Sequence, residues 1–184
     1  MTKIFTAVVL YIMKKLFPFL TFIIAMQVNI TNAQELQTIP FVNLNKYAGK
    51  WYEIAAFPQR FQSNCTCTTA EYTVTSKEYV IVENRCNKDS SHGKPSYIKG
   101  KAFVDKNSGS AKLRVQFFWP FKGKYWIIDL ADDYSYAVVG HPNKKYLWIL
   151  SRTPKMEDAI YQNILTKIQA KGFAIAKIKL TKQL

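Results

Sequence analysis

Histidine is almost absent from this chain, with His92 and His141 alone, and acids are few, 12 Asp and Glu against 26 Lys and Arg. Both histidines stand in turn-like segments, and no Gly-x-Ser-x-Gly, His-Glu-x-x-His or phosphate-cradling glycine loop accompanies them. No nucleophile and base can be paired, and the adjacent carboxyls of Asp132 and Asp133 diverge on a turn rather than converge for acid–base work. The chain also lacks an internal repeat, a low-complexity tract and an interior linker, and it has no helical periodicity until near its end. These absences exclude solenoids and helical bundles, and they leave no expected catalytic residue, metal or cofactor. An enzyme acting on a small hydrophobic substrate stays open only if a reactive group faces an interior.

A chain of 184 residues suits one domain with a sizeable core. Lys14 and Lys15 precede an apolar run over 16–28 that ends in polar Asn29-Ile30-Thr31-Asn32-Ala33. This pattern reads as a signal peptide over 1–33, with Met13 as an alternative start, and it leaves a mature domain of 34–184. The rival is a retained membrane anchor over 4–28. No cysteine follows the run at a lipoprotein processing position, so export to a periplasm, to association with an outer membrane, or to the medium is expected. Removing 1–33 takes away Lys3, Lys14 and Lys15 and no acid, which leaves a net charge of +11. Such a balance favours anionic partners. A basic surface binder of anionic membrane or polyanion, using Lys94, Lys99, Lys101, Lys112 and Arg114, is therefore an alternative, although scattered bases usually form a solvated face. No nucleic-acid partner is expected, and oligomeric state is not legible.

From Gly49 onward, short alternating apolar runs separated by turn residues predict eight strands, at 51–57, 68–75, 79–85, 97–105, 111–118, 124–130, 136–140 and 145–151. In the fifth, Leu113, Val115 and Phe117 share one face while Lys112, Arg114 and Gln116 share the other. Short links at Asn107-Ser108-Gly109 and His141-Pro142-Asn143 suit hairpins between sequential neighbours. The longer connection over 58–67 would fall at one open end and act as a lid. Thr153 as cap, Pro154 at the first helical position, Glu157 and Asp158 in the first turn and Gly172 after the end delimit one helix. Its stripe of Ile160, Ile164, Leu165 and Ile168 predicts packing against the barrel's outside. A ninth strand is expected over 173–180.

Three motifs in order make this plan resemble the lipocalin family. Gly49-Lys50-Trp51 looks like the family's Gly-x-Trp signature, and Asp132-Asp133-Tyr134 is similar to its Thr-Asp-Tyr turn, with Asp132 in place of Thr. Arg152, after Tyr146 to Ser151, matches its third conserved region, and Phe118-Trp119-Pro120-Phe121 resembles the bacterial lipocalin and apolipoprotein D branch. The resemblance implies an all-β fold: an eight-stranded antiparallel up-and-down barrel with one C-terminal α-helix and a short ninth strand. Gly49, Trp51, Asp133, Tyr134 and Arg152 are then expected to close one end, with the guanidinium stacked on the indole.

An eight-stranded barrel is wide enough either to be filled by side chains or to hold one small ligand. Alternation and the resemblance together give Tyr72, Val74, Val115, Phe117, Tyr125, Ile127, Tyr136, Val138, Tyr146 and Trp148 as inward candidates. Phe61 joins them from the lid. The implied function is binding and transport of a fatty acid, lysophospholipid or similar lipid. Its head is expected at the open end, beside Phe57, Phe61, Trp119, Phe121 and Arg60 or Lys122.

Cys65, Cys67 and Cys86 flank the second and third strands. A two-residue turn at Ser76-Lys77 sets Cys67 opposite Cys86, and an exported protein meets an oxidising compartment, so a Cys67–Cys86 disulfide is expected. A one-residue change of register makes Cys65 the partner instead. A zinc site of the three cysteines with His92 is a weaker alternative, because Cys-x-Cys is too short for the usual spacing.

Overall fold

The computed structural model describes residues 35–184. The expected leader at 1–33, its alternative start Met13 and the rival anchor lie outside them. A one-turn helix α1 (Leu44–Tyr47) leads into β1 (Gly49–Ala56). The barrel continues with β2 (Cys65–Val74), β3 (Val80–Lys88), β4 (Pro95–Val104), β5 (Lys112–Phe118), β6 (Phe121–Leu130), β7 (Tyr136–Gly140) and β8 (Leu147–Ser151). Every sequential pair is antiparallel, and β1 joins β2 on one side and β8 on the other, so the eight strands close on themselves. The closing pair β1–β2 spans Gly49–Tyr52, and beyond it the Cys67 N–H bonds the Lys182 carbonyl of the C-terminal tail. The lid over 58–67 carries a single 3-10 turn, Arg60–Gln62.

Helix α2 runs from Asp158 to Ala170, four residues later than Thr153 and Pro154 suggest. Thr153 is held in its own turn, where Oγ1 donates to the Lys155 carbonyl at 2.6 Å and the N–H donates to Ser151 Oγ. Gly172 ends the helix as expected, at φ +82°, with the Phe173 N–H reaching back to the Ile168 carbonyl. The expected ninth strand shrinks to Lys179–Leu180, which pairs with β1. Phe173 is instead buried beneath α2.

Apolar residues fall into two clusters, divided by the barrel wall. One is interior and includes Tyr47, Trp51, Tyr72, Val82, Leu113, Ile127 and Val139; the other lies between the wall and α2 and includes Trp126, Ile128, Val138, Ile164, Ile168 and Phe173. This division corrects two inward assignments. Tyr136 and Val138 face α2, and the Tyr136 hydroxyl donates to Asp129 and accepts from Lys167 Nζ at 3.2 Å. A bulge between Ile127 and Asp129 resets the β6–β7 register, and β7 is apolar on both faces because both are covered, so alternation gave no guide to its sidedness.

A second bulge decides the disulfide. Between Thr66 and Thr69 the β2–β3 register shifts by one, and Cys67 occupies the irregular position at φ +51°, with its N–H on the Lys182 carbonyl. Cys86 therefore bonds Cys65, the alternative partner, across a Cα separation of 5.5 Å, and Cys67 is the free thiol. The bond removes two of the cysteines a zinc site would need.

Candidate functional site

The end of the barrel nearest α1 is sealed. Gly49 takes φ +92°, and a Cβ there would approach Arg152 Nη1 at 3.4 Å. Trp51, two residues on, is wholly buried, and its indole N–H donates to the Tyr47 carbonyl at 2.8 Å. The Arg152 guanidinium lies 3.8 Å from the centre of the Trp51 ring. It donates to the carbonyls of Lys46 at 2.7 Å, Lys50 at 2.9 Å, Tyr47 at 3.2 Å and Tyr134 at 3.3 Å. Tyr134, at φ +61°, accepts the Asn43 N–H on its hydroxyl at 2.9 Å. Asp133 holds that turn by accepting the Ser135 N–H, and the hydrogen bonding with Ser135 keeps its carboxyl below the ordinary range. The five residues expected to close the barrel do meet at one end.

From this plug a ladder of rings climbs the interior. Successive centroids are 5.0 Å apart for Trp51 and Tyr47, 5.4 Å for Tyr47 and Tyr72, and 6.0 Å for Tyr72 and Tyr125. The ladder continues through Trp148 at 6.4 Å, Tyr146 at 6.2 Å and Phe61 at 6.2 Å. Tyr72, Tyr125, Tyr146 and Trp148 were all expected inward, and Phe61 leans onto them from the lid while remaining 70% exposed. Val115 and Phe117 pack on the same interior cluster, and Phe117 covers Gly100, where a Cβ would sit 2.7 Å from its ring. Val74, by contrast, is exposed at the end of β2, and Phe57 is buried with Phe173 beneath α2, away from the mouth.

Tyr47 was missed because it precedes the first strand, where no alternation marks it. Its hydroxyl is 2.8 Å from that of Tyr125, which is 2.8 Å from that of Tyr72. Burial pushes all three phenols up, Tyr72 to about 12, so they are neutral at any physiological pH. Two further polar groups face the interior. Asn84 pairs with inward Ala70, and its side-chain oxygen is buried without a partner. Glu53 follows Trp51 at a spacing of two and is 5% exposed. It accepts from Gln62 of the lid and from Thr181 of the C-terminal tail, both at 2.5 Å, and burial raises its pKa.

The opposite end carries exposed aromatics. Phe118, Trp119 and Phe121 at the β5–β6 turn are 69%, 86% and 76% exposed, with Lys122 and Lys124 following. Four of the five bases named for a surface binder are individually engaged on the outer wall. Lys99 pairs with Glu83, Arg114 with Asp105, Lys101 lies over Tyr79 and Lys112 over Trp126. Among the described residues no group of His, Cys, Asp and Glu is arranged to hold a metal, and no helix is long and apolar enough to cross a membrane.

Residues 42–183 match the family model described as a lipocalin-like domain. The chain is 38% identical to temperature-induced lipocalin-1 of Arabidopsis thaliana over 83% of its own length and 86% of that protein. It is 36% identical to the outer membrane lipoprotein Blc of Vibrio cholerae over 76% and 82%, and 30% identical to bovine apolipoprotein D over 77% of each. Among solved structures, insecticyanin from the tobacco hornworm superposes with a TM-score of 0.66 at 23% identity, covering 82% of this chain and 85% of that one.

Proposed function

Because this chain belongs to the lipocalin family, whose members bind small hydrophobic molecules, we propose that it carries one lipid, such as a fatty acid or lysophospholipid, inside the barrel and catalyses no reaction. The observation that carries this reading is the state of the inner wall. Ala70, Val115, Phe117, Tyr125 and Trp148 pack on the interior cluster yet stay partly accessible. Residues on the inside of a solidly filled barrel would be sealed. If an acyl chain enters, each buried methylene contributes roughly 0.8 kcal/mol, so a long chain binds tightly through non-directional burial alone.

Two features support a setting in the cell envelope or the medium. The basic, apolar segment over 1–33 reads as an export signal, and relatives include a protein named as an outer membrane lipoprotein. The exposed Phe118, Trp119 and Phe121, with Lys122 and Lys124 beside them, favour a second role for the same end as peripheral contact with an anionic bilayer.

Titration with oleate tests the carrier reading. Trp148 emission is expected to change to a plateau, and the change is expected to be lost in Trp148→Phe and to persist at high salt. Polyanion or bilayer binding as the main activity would instead weaken sharply with salt. No response of Trp148 to any long-chain lipid refutes the carrier.

A further inference from the structure

The inner wall holds two buried hydrogen-bonding capacities of opposite sign that the chain leaves unused. Tyr47, Tyr125 and Tyr72 bring three hydroxyl protons to two oxygen–oxygen contacts of 2.8 Å each. Two contacts take up two protons, so at least one O–H has no acceptor among the described residues. The unpartnered side-chain oxygen of Asn84 is the complementary group. Tyr72 pairs with Val82, and Ala70 pairs with Asn84. Asn84 therefore stands one inward position nearer the open end than the tyrosine chain, about 7 Å along the strands. Groups buried in this way are unfavourable when unpaired, and a spare donor and a spare acceptor on neighbouring inward positions mark a place for the polar group of a ligand.

We infer that the occupant enters oxygen-first: the leading end of its apolar body carries an uncharged hydroxyl or carboxyl group that accepts from the tyrosine chain and donates to Asn84. This rests on the carrier reading and narrows its ligand class. A charge is disfavoured there because the one cation that acts on Tyr47 is Arg152, whose guanidinium is committed to four backbone carbonyls. A carboxylate on the tyrosines would be a buried, unpaired ion. An ionised lipid that keeps its head at the mouth presents a methyl group to the tyrosines and leaves both capacities unfilled. Such lipids bind less well than a neutral alcohol or acid of equal length.

The test compares 1-decanol with decane, which differ by one hydroxyl, by displacement of a fluorescent probe from the wild type, Asn84→Leu and Asn84→Val. The alcohol-to-alkane affinity ratio is expected to fall about tenfold in each variant, the equivalent of one hydrogen bond, with decane affinity unchanged. Carbon-13 at the first carbon of bound decanol is expected to be shielded from a soluble paramagnetic agent. The same ratio in all three proteins, or a first carbon open to that agent, overturns the inference and leaves the carrier intact. Failure of both decane and decanol to bind overturns both. Asn84→Val keeps the test decisive if Asn84→Leu folds poorly.

Discussion

Arg152→Ala is the substitution whose consequence follows most directly from the geometry. The guanidinium stacks on Trp51 at 3.8 Å and bridges the carbonyls of Lys46, Tyr47 and Lys50 to that of Tyr134, tying α1 and β1 to the β6–β7 turn. Hydrogen bonds from a charged donor contribute about 1.5–3 kcal/mol each, and a cation over an indole about 0.5–2 kcal/mol. The site is partly open, so water replaces the donor at the Lys46 and Lys50 carbonyls, and the Tyr47 carbonyl keeps the Trp51 indole N–H. Discounting for both leaves a loss of about 3 kcal/mol, a large part of a typical domain's stability. Urea unfolding followed by circular dichroism reads this as a lower midpoint with an unchanged slope. Arg152→Lys keeps the charge but not the fork, and it is expected to restore no more than about 1 kcal/mol. A loss below about 1 kcal/mol in Arg152→Ala would refute the plug as a principal tie of the closed end.

Two further outcomes follow from the bulge in β2 and from the buried carboxyl. Cys65→Ser opens a covalent loop of 21 residues and is expected to lower stability by about 3 kcal/mol under oxidising conditions, whereas Cys67→Ser leaves the urea midpoint unchanged. Glu53 has its pKa raised above the ordinary 4.5 by burial, against the opposing hydrogen bonds of Thr181 and Gln62, so it binds its proton more tightly folded than unfolded. Its contribution to stability is fully present below pH 4.5 and is lost as the pH rises through the raised value. Glu53→Gln is expected to flatten that slope and to raise the midpoint at pH 7; an unaltered pH profile would contradict the assignment.

Strand positions were legible because each run carries its own period and each link its own turn residues. The strand expected over 136–140 is β7, Tyr136–Gly140. Sidedness was legible only where one face is wet, as in β5 with Lys112 and Arg114. It was lost in β7, whose outer face is covered by α2. Register was lost at the bulges in β2 and β6, because a single inserted residue leaves no trace in local composition yet reassigns Cys65 and Tyr136. Tyr47 escaped because its role depends on the fold bringing α1 beneath the barrel, and no neighbour in sequence announces that. The plug was legible because Gly49, Trp51 and Arg152 sit at fixed places in an ordered pattern, so three weak signals reinforced one another.

Calorimetric titration with oleate at several temperatures tests most directly whether the barrel interior is a binding chamber. One molecule bound per chain, with a negative heat-capacity change that does not depend on salt, is the expected result. Absence of binding, or several weak sites abolished by salt, would contradict it.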